Sequence, residues 1–254
     1  MGAPPHCDSI STSTLGLASL ECGHLEEAYG AARFLVRLLD MQPQPKTEFL
    51  TTVLGSGELL TGSSGTVLRK HQRVALRARF QAWHAIAFPL AFLARLFEQS
   101  GDETWLNQAE RYLALLDLAP QSWQDLASGK SAWGCAVLYR ATGQLTFRRS
   151  ALRASRALVS RMARDGRWHA DINGEGGTKQ APSAMGYEST SEFALWLALV
   201  GEALADRDGV RWNVPAHCGA ESPATWSLRQ LQRTSLRRIR TATFGWHRAF
   251  DRMR

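Results

Sequence analysis

The sequence has few cysteines, no long hydrophobic run and, over most of its length, no net charge. Its four cysteines, Cys7, Cys22, Cys135 and Cys218, stand far apart, and none forms a CxxC pair. That spacing supports neither a disulfide framework nor a zinc knuckle and points to a reducing, cytoplasmic setting. No stretch approaches the roughly 18 uninterrupted apolar residues of a membrane span, so no transmembrane segment is expected. The opening residues, "MGAPPHCDSISTST", have neither the basic nor the apolar region of a secretory signal, and none is expected. The net charge of +7 sits at one end. From Ser222 onward there are eight arginines and one acid, Asp251, while the preceding 221 residues carry 22 basic and 22 acidic groups. A neutral body lacks the basic face of a nucleic-acid-binding domain, so no specific nucleic-acid partner is expected.

What is present is a globular composition. The 254 residues, 44% of them hydrophobic, suffice for one large domain or two small ones. Residues 1–14 are polar and rich in Pro, Ser and Thr and are expected to be a disordered arm. A helix pair is expected at about 15–21 and 24–40, separated by Gly23, with Phe34, Leu35, Leu38 and Leu39 as the apolar stripe. "EFLTTVLGSGELLTG" reads instead as a small β-hairpin turning at Gly55-Ser56-Gly57. From Ala82 to Gln99 the chain is apolar almost all round, which predicts a buried helix. Pro89 inside it removes a backbone donor and predicts a kink or a helix start.

A repeat follows. "LFEQSGDETWLNQA" (96–109) matches "LYRATGQLTFRRSA" (138–151) at an offset of 42 residues. Phe97 pairs with Tyr139, Gly101 with Gly143, Trp105 with Phe147, and Ala109 with Ala151. Each unit reads as helix, glycine cap, short connection and helix, and "LECGHLEEA" as a shorter first copy. A last helix is expected from about Glu192 to Leu204. Units of this size predict an all-α fold of stacked αα-hairpins over residues 15–205. Residues 206–254 are expected to be a poorly ordered, Arg-rich extension. Its leucines and arginines would otherwise suit a basic amphipathic helix on a membrane surface or RNA.

Two stretches resemble a known superfamily. "LVSRMARDGRW" resembles the end of a QW-type repeat of the squalene and oxidosqualene cyclases; Gly166 and Trp168 match, and Met162 stands at the glutamine position. "ESTSE" (188–192) is similar to the DCTAE catalytic motif of the oxidosqualene cyclases. Glu188 falls on the aspartate, Thr190 on the threonine and Glu192 on the glutamate. The resemblance is to the α/α-toroid superfamily of terpenoid cyclases and protein prenyltransferases, and it implies that the hairpins curve into a partial toroid. No DxDD motif and no Asp/Cys/His zinc set is present. What the resemblance implies is therefore a scaffold without cofactor or metal, and an acid-catalysed cyclase or isomerase of a small apolar metabolite, with Glu188 as the acid.

The candidate residues carry plainer readings beside the functional ones. Ser189 and Glu192 also have the spacing of a helix capping box. The loop 167–187 is long, polar and glycine-rich, and its His169 and Asp171 have the chemistry of catalytic assistants. Trp83 and Trp133 stand near expected helix starts and, with His84, Trp168, Tyr187 and Glu192, form the expected substrate-binding set. Tryptophans at such positions also serve simply as packing. "SGKSAWG" lacks the upstream glycine of a phosphate loop, since Gln124 occupies that position, and Lys130 is expected at the top of a helix. Two other function classes fit the same residues. One is a carbohydrate-active (α/α) hydrolase or epimerase with a tryptophan-walled site. The other is a non-catalytic helical-repeat binding protein or a truncated, inactive relative.

Overall fold

A computed structural model describes residues 6–62, 71–164, 166–168 and 183–209; for 183–189 it describes the helical backbone. The chain divides into two units, residues 1–160 and 161–254. The division falls inside the stretch expected to form one domain. No helix among the described residues is long and apolar enough to cross a membrane.

The first unit is built from three helical hairpins. They are α1 (Ser9–Glu21) with α2 (Leu25–Asp40), α3 (His84–Ser100) with α4 (Glu103–Asp117), and α5 (Ser128–Thr142) with α6 (Leu145–Ser160). The two repeat glycines behave as their spacing predicts. Gly101 and Gly143 end α3 and α5 at φ 70° and 75°, each donating its N–H back to an aromatic residue's carbonyl, Phe97 or Tyr139. A side chain at that φ is strained, so glycine is the residue that stops a helix this way. Asp102 then caps α4 by accepting from the Thr104 N–H at 2.8 Å.

The first helices of the hairpins pack in a row. α1 lies on α2 and α3, α3 on α4 and α5, and α5 on α6. Gly16 and Gly134 set the spacing of this row. A Cβ on Gly16 would stand 2.5 Å from the Phe92 ring, and one on Gly134 would stand 2.9 Å from Leu90 Cγ and 3.1 Å from the Ala91 backbone. Apolar α3 is therefore clasped on both sides by glycine contacts, and Ala85 to Ala94 is buried except for Phe88. Pro89 lies inside α3 rather than at its start.

The second helices meet through longer side chains. Tyr29 of α2 stacks on Trp105 of α4 at 5.9 Å. The buried Tyr112 hydroxyl donates to the Leu35 carbonyl at 2.8 Å, and its ring meets Phe49 edge-on. Burial pushes the Tyr112 phenol far above its usual range, so it stays a neutral donor. Tyr112→Phe should remove this bond, with the Leu35 carbonyl keeping its partner within α2, and lower the unfolding free energy by about 1 kcal/mol, measured by urea titration.

Four short strands cover the α2 end of this unit. β1 (His6–Asp8) pairs antiparallel with β3 (Thr52–Leu54), and β2 (Glu48–Leu50) pairs antiparallel with β4 (Arg73–Ala75). The expected hairpin turn is present: Gly57, at φ 86°, donates to Leu54 O, and Val53 bridges Leu59. Its strands also recruit partners from outside the hairpin. The arm is corrected here. His6–Asp8 is a paired strand, and Asp8 caps α1 by accepting from the Ile10 and Ser11 N–H groups, so the helix begins at Ser9 rather than Leu15. Gln42 locks helix to sheet. Its side-chain amide donates to Leu38 O and Leu50 O and accepts from Leu50 N.

The second unit is described over a turn and one helix, α7 (Ser183–Asp208). Gly166, at φ 81°, closes the turn, with Ala163 N donating to Arg167 O at 2.8 Å. α7 starts nine residues earlier than the sequence suggested. The expected Arg-rich extension beyond Gly209 lies outside the described residues.

Candidate functional site

Two groups of residues carry chemistry, one in each unit. In the first unit, the early turns of α3 and α5 are almost entirely buried. Within the first half of α3 the partly exposed residues are His84 and Phe88; within the first eleven residues of α5 the partly exposed one is Trp133. His84 and Phe88 are one turn apart on one face of α3. Lys130 of α5 reaches across, its Nζ 5.1 Å from the centroid of the Phe88 ring. An ammonium at that distance is attracted by the negative face of the ring. Lys130 is itself buried, at 6% exposure, and Trp133 follows it by three residues on the same helix face. This polar patch thus combines an imidazole, a buried ammonium, a phenyl ring and an indole.

Of the residues expected to bind substrate here, His84 and Trp133 lie on the patch. Trp83 does not reach solvent: at 1% exposure it is packed beneath the start of α3. Both tryptophans precede or open a buried helix in the sequence, so position alone did not separate them. The loop entering α3 is tightly held. Gln81 accepts from Ala75 N and donates to Arg79 O, while half-exposed Phe80 between them stands at φ 55°.

Lys130 and Phe88 were not paired by the sequence reading, although a signal was available. They occupy equivalent positions of the 42-residue repeat, as do Glu98 and Arg140. Both pairs touch, so α3 and α5 run parallel in the same register. The second pair belongs to a chain of charges at the other end of the row. Arg140 of α5 donates to both Glu98 oxygens at 2.5 and 2.8 Å, Arg95 also bonds Glu98, and Arg95 reaches Glu21 of α1 at 2.6 Å.

In the second unit, the "ESTSE" motif lies well inside α7. This overturns the capping-box reading: Ser189 is the seventh residue of the helix, and neither it nor Glu192 is at the terminus. Glu188 and Glu192 are one turn apart. Glu192 accepts from the Trp196 indole N–H at 3.2 Å. Thr190 Oγ1 accepts from the backbone N–H of Trp168 at 3.2 Å. Trp168 is buried and meets Phe193 edge-on at 6.0 Å. The QW-like turn and the "ESTSE" helix are therefore one packed element, with the buried Trp168 ring between them. His169 and Asp171, and the side chains of Tyr187 and Glu188, lie outside the described residues.

A third cluster of ionisable groups lies near the end of α4. Desolvation raises the Asp117 carboxyl above its usual range, against the pull of the Arg153 guanidinium and the Trp123 indole. Arg153 in turn lies over the Trp123 ring at 5.7 Å, and that buried indole makes no hydrogen bond of regular geometry. Burial, with a smaller contribution from Asp117, pushes the Cys135 thiol far above its usual range. Cys135 should therefore resist iodoacetamide in the folded protein while exposed Cys7 and Cys22 react, as peptide mass spectrometry would show. Among the described residues, no group of three His, Cys, Asp or Glu could hold a metal ion.

No family model matches the chain, and no curated protein or solved structure matches it.

Proposed function

We propose that the chain is an α/α-toroid-type enzyme that isomerises or cyclises a small, largely apolar metabolite by acid catalysis, with Glu188 as the proton donor. The observation that carries this reading is the position of "ESTSE" inside α7. A carboxylate in the first turn would have an ample structural reason to be there, as a cap and as a partner of the helix dipole. Glu188 is the sixth residue of a helix and has no terminus to cap. The other two matched positions have structural work: Thr190 anchors Trp168, and Glu192 holds Trp196. They tie Trp168 and Trp196 to α7. The proposed role requires a carboxyl that loses hydration against aromatic surface, which raises its pKa and lets it hold a proton near neutral pH. The row of three first helices supports the toroid half of the reading, because consecutive hairpins sharing one row are what such a ring requires.

The test is turnover. The protein is incubated with a panel of terpenoid and other small apolar metabolites, and products are read by mass spectrometry. Glu188→Gln should slow conversion by about 100-fold or more, the usual loss for a general acid, with the helical circular dichroism unchanged. Equal turnover by the variant would remove Glu188 from the chemistry. Saturable binding of a panel member without conversion would favour the binding-protein reading.

A further inference from the structure

We infer that the exposed face of α6 is a docking surface for the phosphate backbone of a nucleic-acid duplex, held without regard to base sequence by Arg149, Arg153 and Arg156.

The first ground is a segregation of charge that the neutral sum over the body hides. Between Leu145 and Arg167 there are seven arginines and one acid, Asp165. α6 itself holds four arginines, no lysine and no acid. The other two second helices mix their signs. α2 has Glu26, Glu27 and Asp40 beside Arg33 and Arg37, and α4 has Glu103, Glu110 and Asp117 beside Arg111. Like charges three and four residues apart destabilise a helix. Packing does not call for them here, since the buried side of α6 is made by Phe147, Leu152, Leu158 and small residues between them.

The second ground is where the arginines stand. Arg149, Arg153 and Arg156 follow the i, i+4, i+7 line of one helix face, over roughly 10 Å of its length, and all three are exposed. Arg153 lies over the Trp123 ring at 5.7 Å and interacts electrostatically with the Asp117 carboxyl. Arg148, off this line, lies over the Tyr139 ring at 6.0 Å. Arg149 and Arg156 have no carboxylate partner among the described residues.

The third ground is the chemistry of the face as a whole. A duplex carries one negative charge per about 1.7 Å of its axis, and the planar fork of arginine matches a phosphate with two hydrogen bonds. A stripe of basic charge along one helix is the footprint of backbone recognition. The exposed residues of α6 are Leu145, Thr146, the three arginines and Ser160. None is aromatic, so an unpaired base finds nothing to stack on, which favours a duplex over a single strand. Leu145, at the first position, is the one exposed large apolar residue of the helix, too little to insert into a lipid surface.

Residues 222–254 carry eight further arginines, so the test compares variants of the whole chain rather than its affinity alone. Binding to labelled DNA and RNA duplexes of about 20 base pairs is followed by fluorescence anisotropy over a series of salt concentrations. Arg149→Gln with Arg156→Gln should make the slope of log K against log salt shallower by about 2, at about 0.9 per lost phosphate contact, and weaken binding at least ten-fold near about 0.1 M salt. The melting temperature should not fall. Arg149→Lys with Arg156→Lys should keep the slope. Arg33→Gln with Arg79→Gln, which removes the same charge from two exposed arginines outside α6, should leave it unchanged. The duplex bound more tightly identifies the partner as DNA or RNA. An unchanged slope in the α6 glutamine variant overturns the inference, as does an equal loss from the control pair. A glutamine variant that loses binding to phosphatidylserine vesicles or to polyglutamate, but to neither duplex, also overturns it, because the face would then belong to a membrane or an acidic protein. The readout is binding, so neither result bears on the turnover test of Glu188.

Discussion

Glu98→Gln should lower the unfolding free energy by about 3 kcal/mol, the largest loss expected from any single surface-accessible charge in the first unit. Glu98 accepts from Arg140 with both oxygens and from Arg95 as well, and all three side chains are about four-fifths buried. Glutamine keeps the shape but removes the negative charge. Two guanidinium groups, which cannot shed their protons, are then held close together with their shared counter-charge gone. Breaking a buried pair from one side costs about 3–5 kcal/mol, and the residual exposure here argues for the lower end. The outer link, Arg95 to Glu21, is worth far less, because Glu21 is 59% exposed. Glu21→Gln should cost less than about 1 kcal/mol, and urea titration of the two variants side by side separates a network centred on Glu98 from four unrelated surface charges.

Gly134→Val should be more damaging still, with a loss above about 3 kcal/mol or no folded protein at all. The first added carbon would already stand 3.1 Å from the Ala91 N and Cα atoms, which belong to the α3 backbone and cannot rotate away. Two further methyl groups would force the helices apart. At Gly16 the obstacle is the Phe92 ring, a side chain that is itself fully buried between helices. Overpacking of a closed core costs about 1–3 kcal/mol for a small addition, and a β-branched side chain against backbone exceeds that.

The parts of this fold that the sequence revealed were those fixed by local physics. Gly101 and Gly143 announce left-handed caps because few residues other than glycine take that conformation; the apolar period marks α2, and the all-round apolar run marks α3, whatever they pack against. The parts it concealed depend on partners far away in the chain. His6–Asp8 becomes a strand only because Thr52–Leu54 lies beside it. Ser9, Ser13, Gly16 and Ser19 make a poor helix by propensity, and these small buried residues let α1 approach α3 closely. "ESTSE" carried a plausible capping pattern that lost to a helix already under way. The patch was half legible. His84 and Trp133 were marked by type, while Lys130 was set aside because the phosphate-loop pattern failed. The 42-residue offset that joins it to Phe88 is marked in the sequence by its packing residues, not by this pair.

The account rests on the row of first helices, since it fixes the register that brings Phe88 to Lys130 and Glu98 to Arg140. Gly134→Ala, measured by urea titration of the whole chain, tests that row by the sign of a single number. Alanine in place of glycine within an unencumbered helix stabilises it by about 1 kcal/mol. Between helices packed as closely as α3 and α5, the methyl group should reverse that gain and leave the variant less stable than the parent by about 1–2 kcal/mol. A variant more stable than the parent would mean that nothing approaches Gly134 so closely, and the row, with the patch built on it, would be wrong.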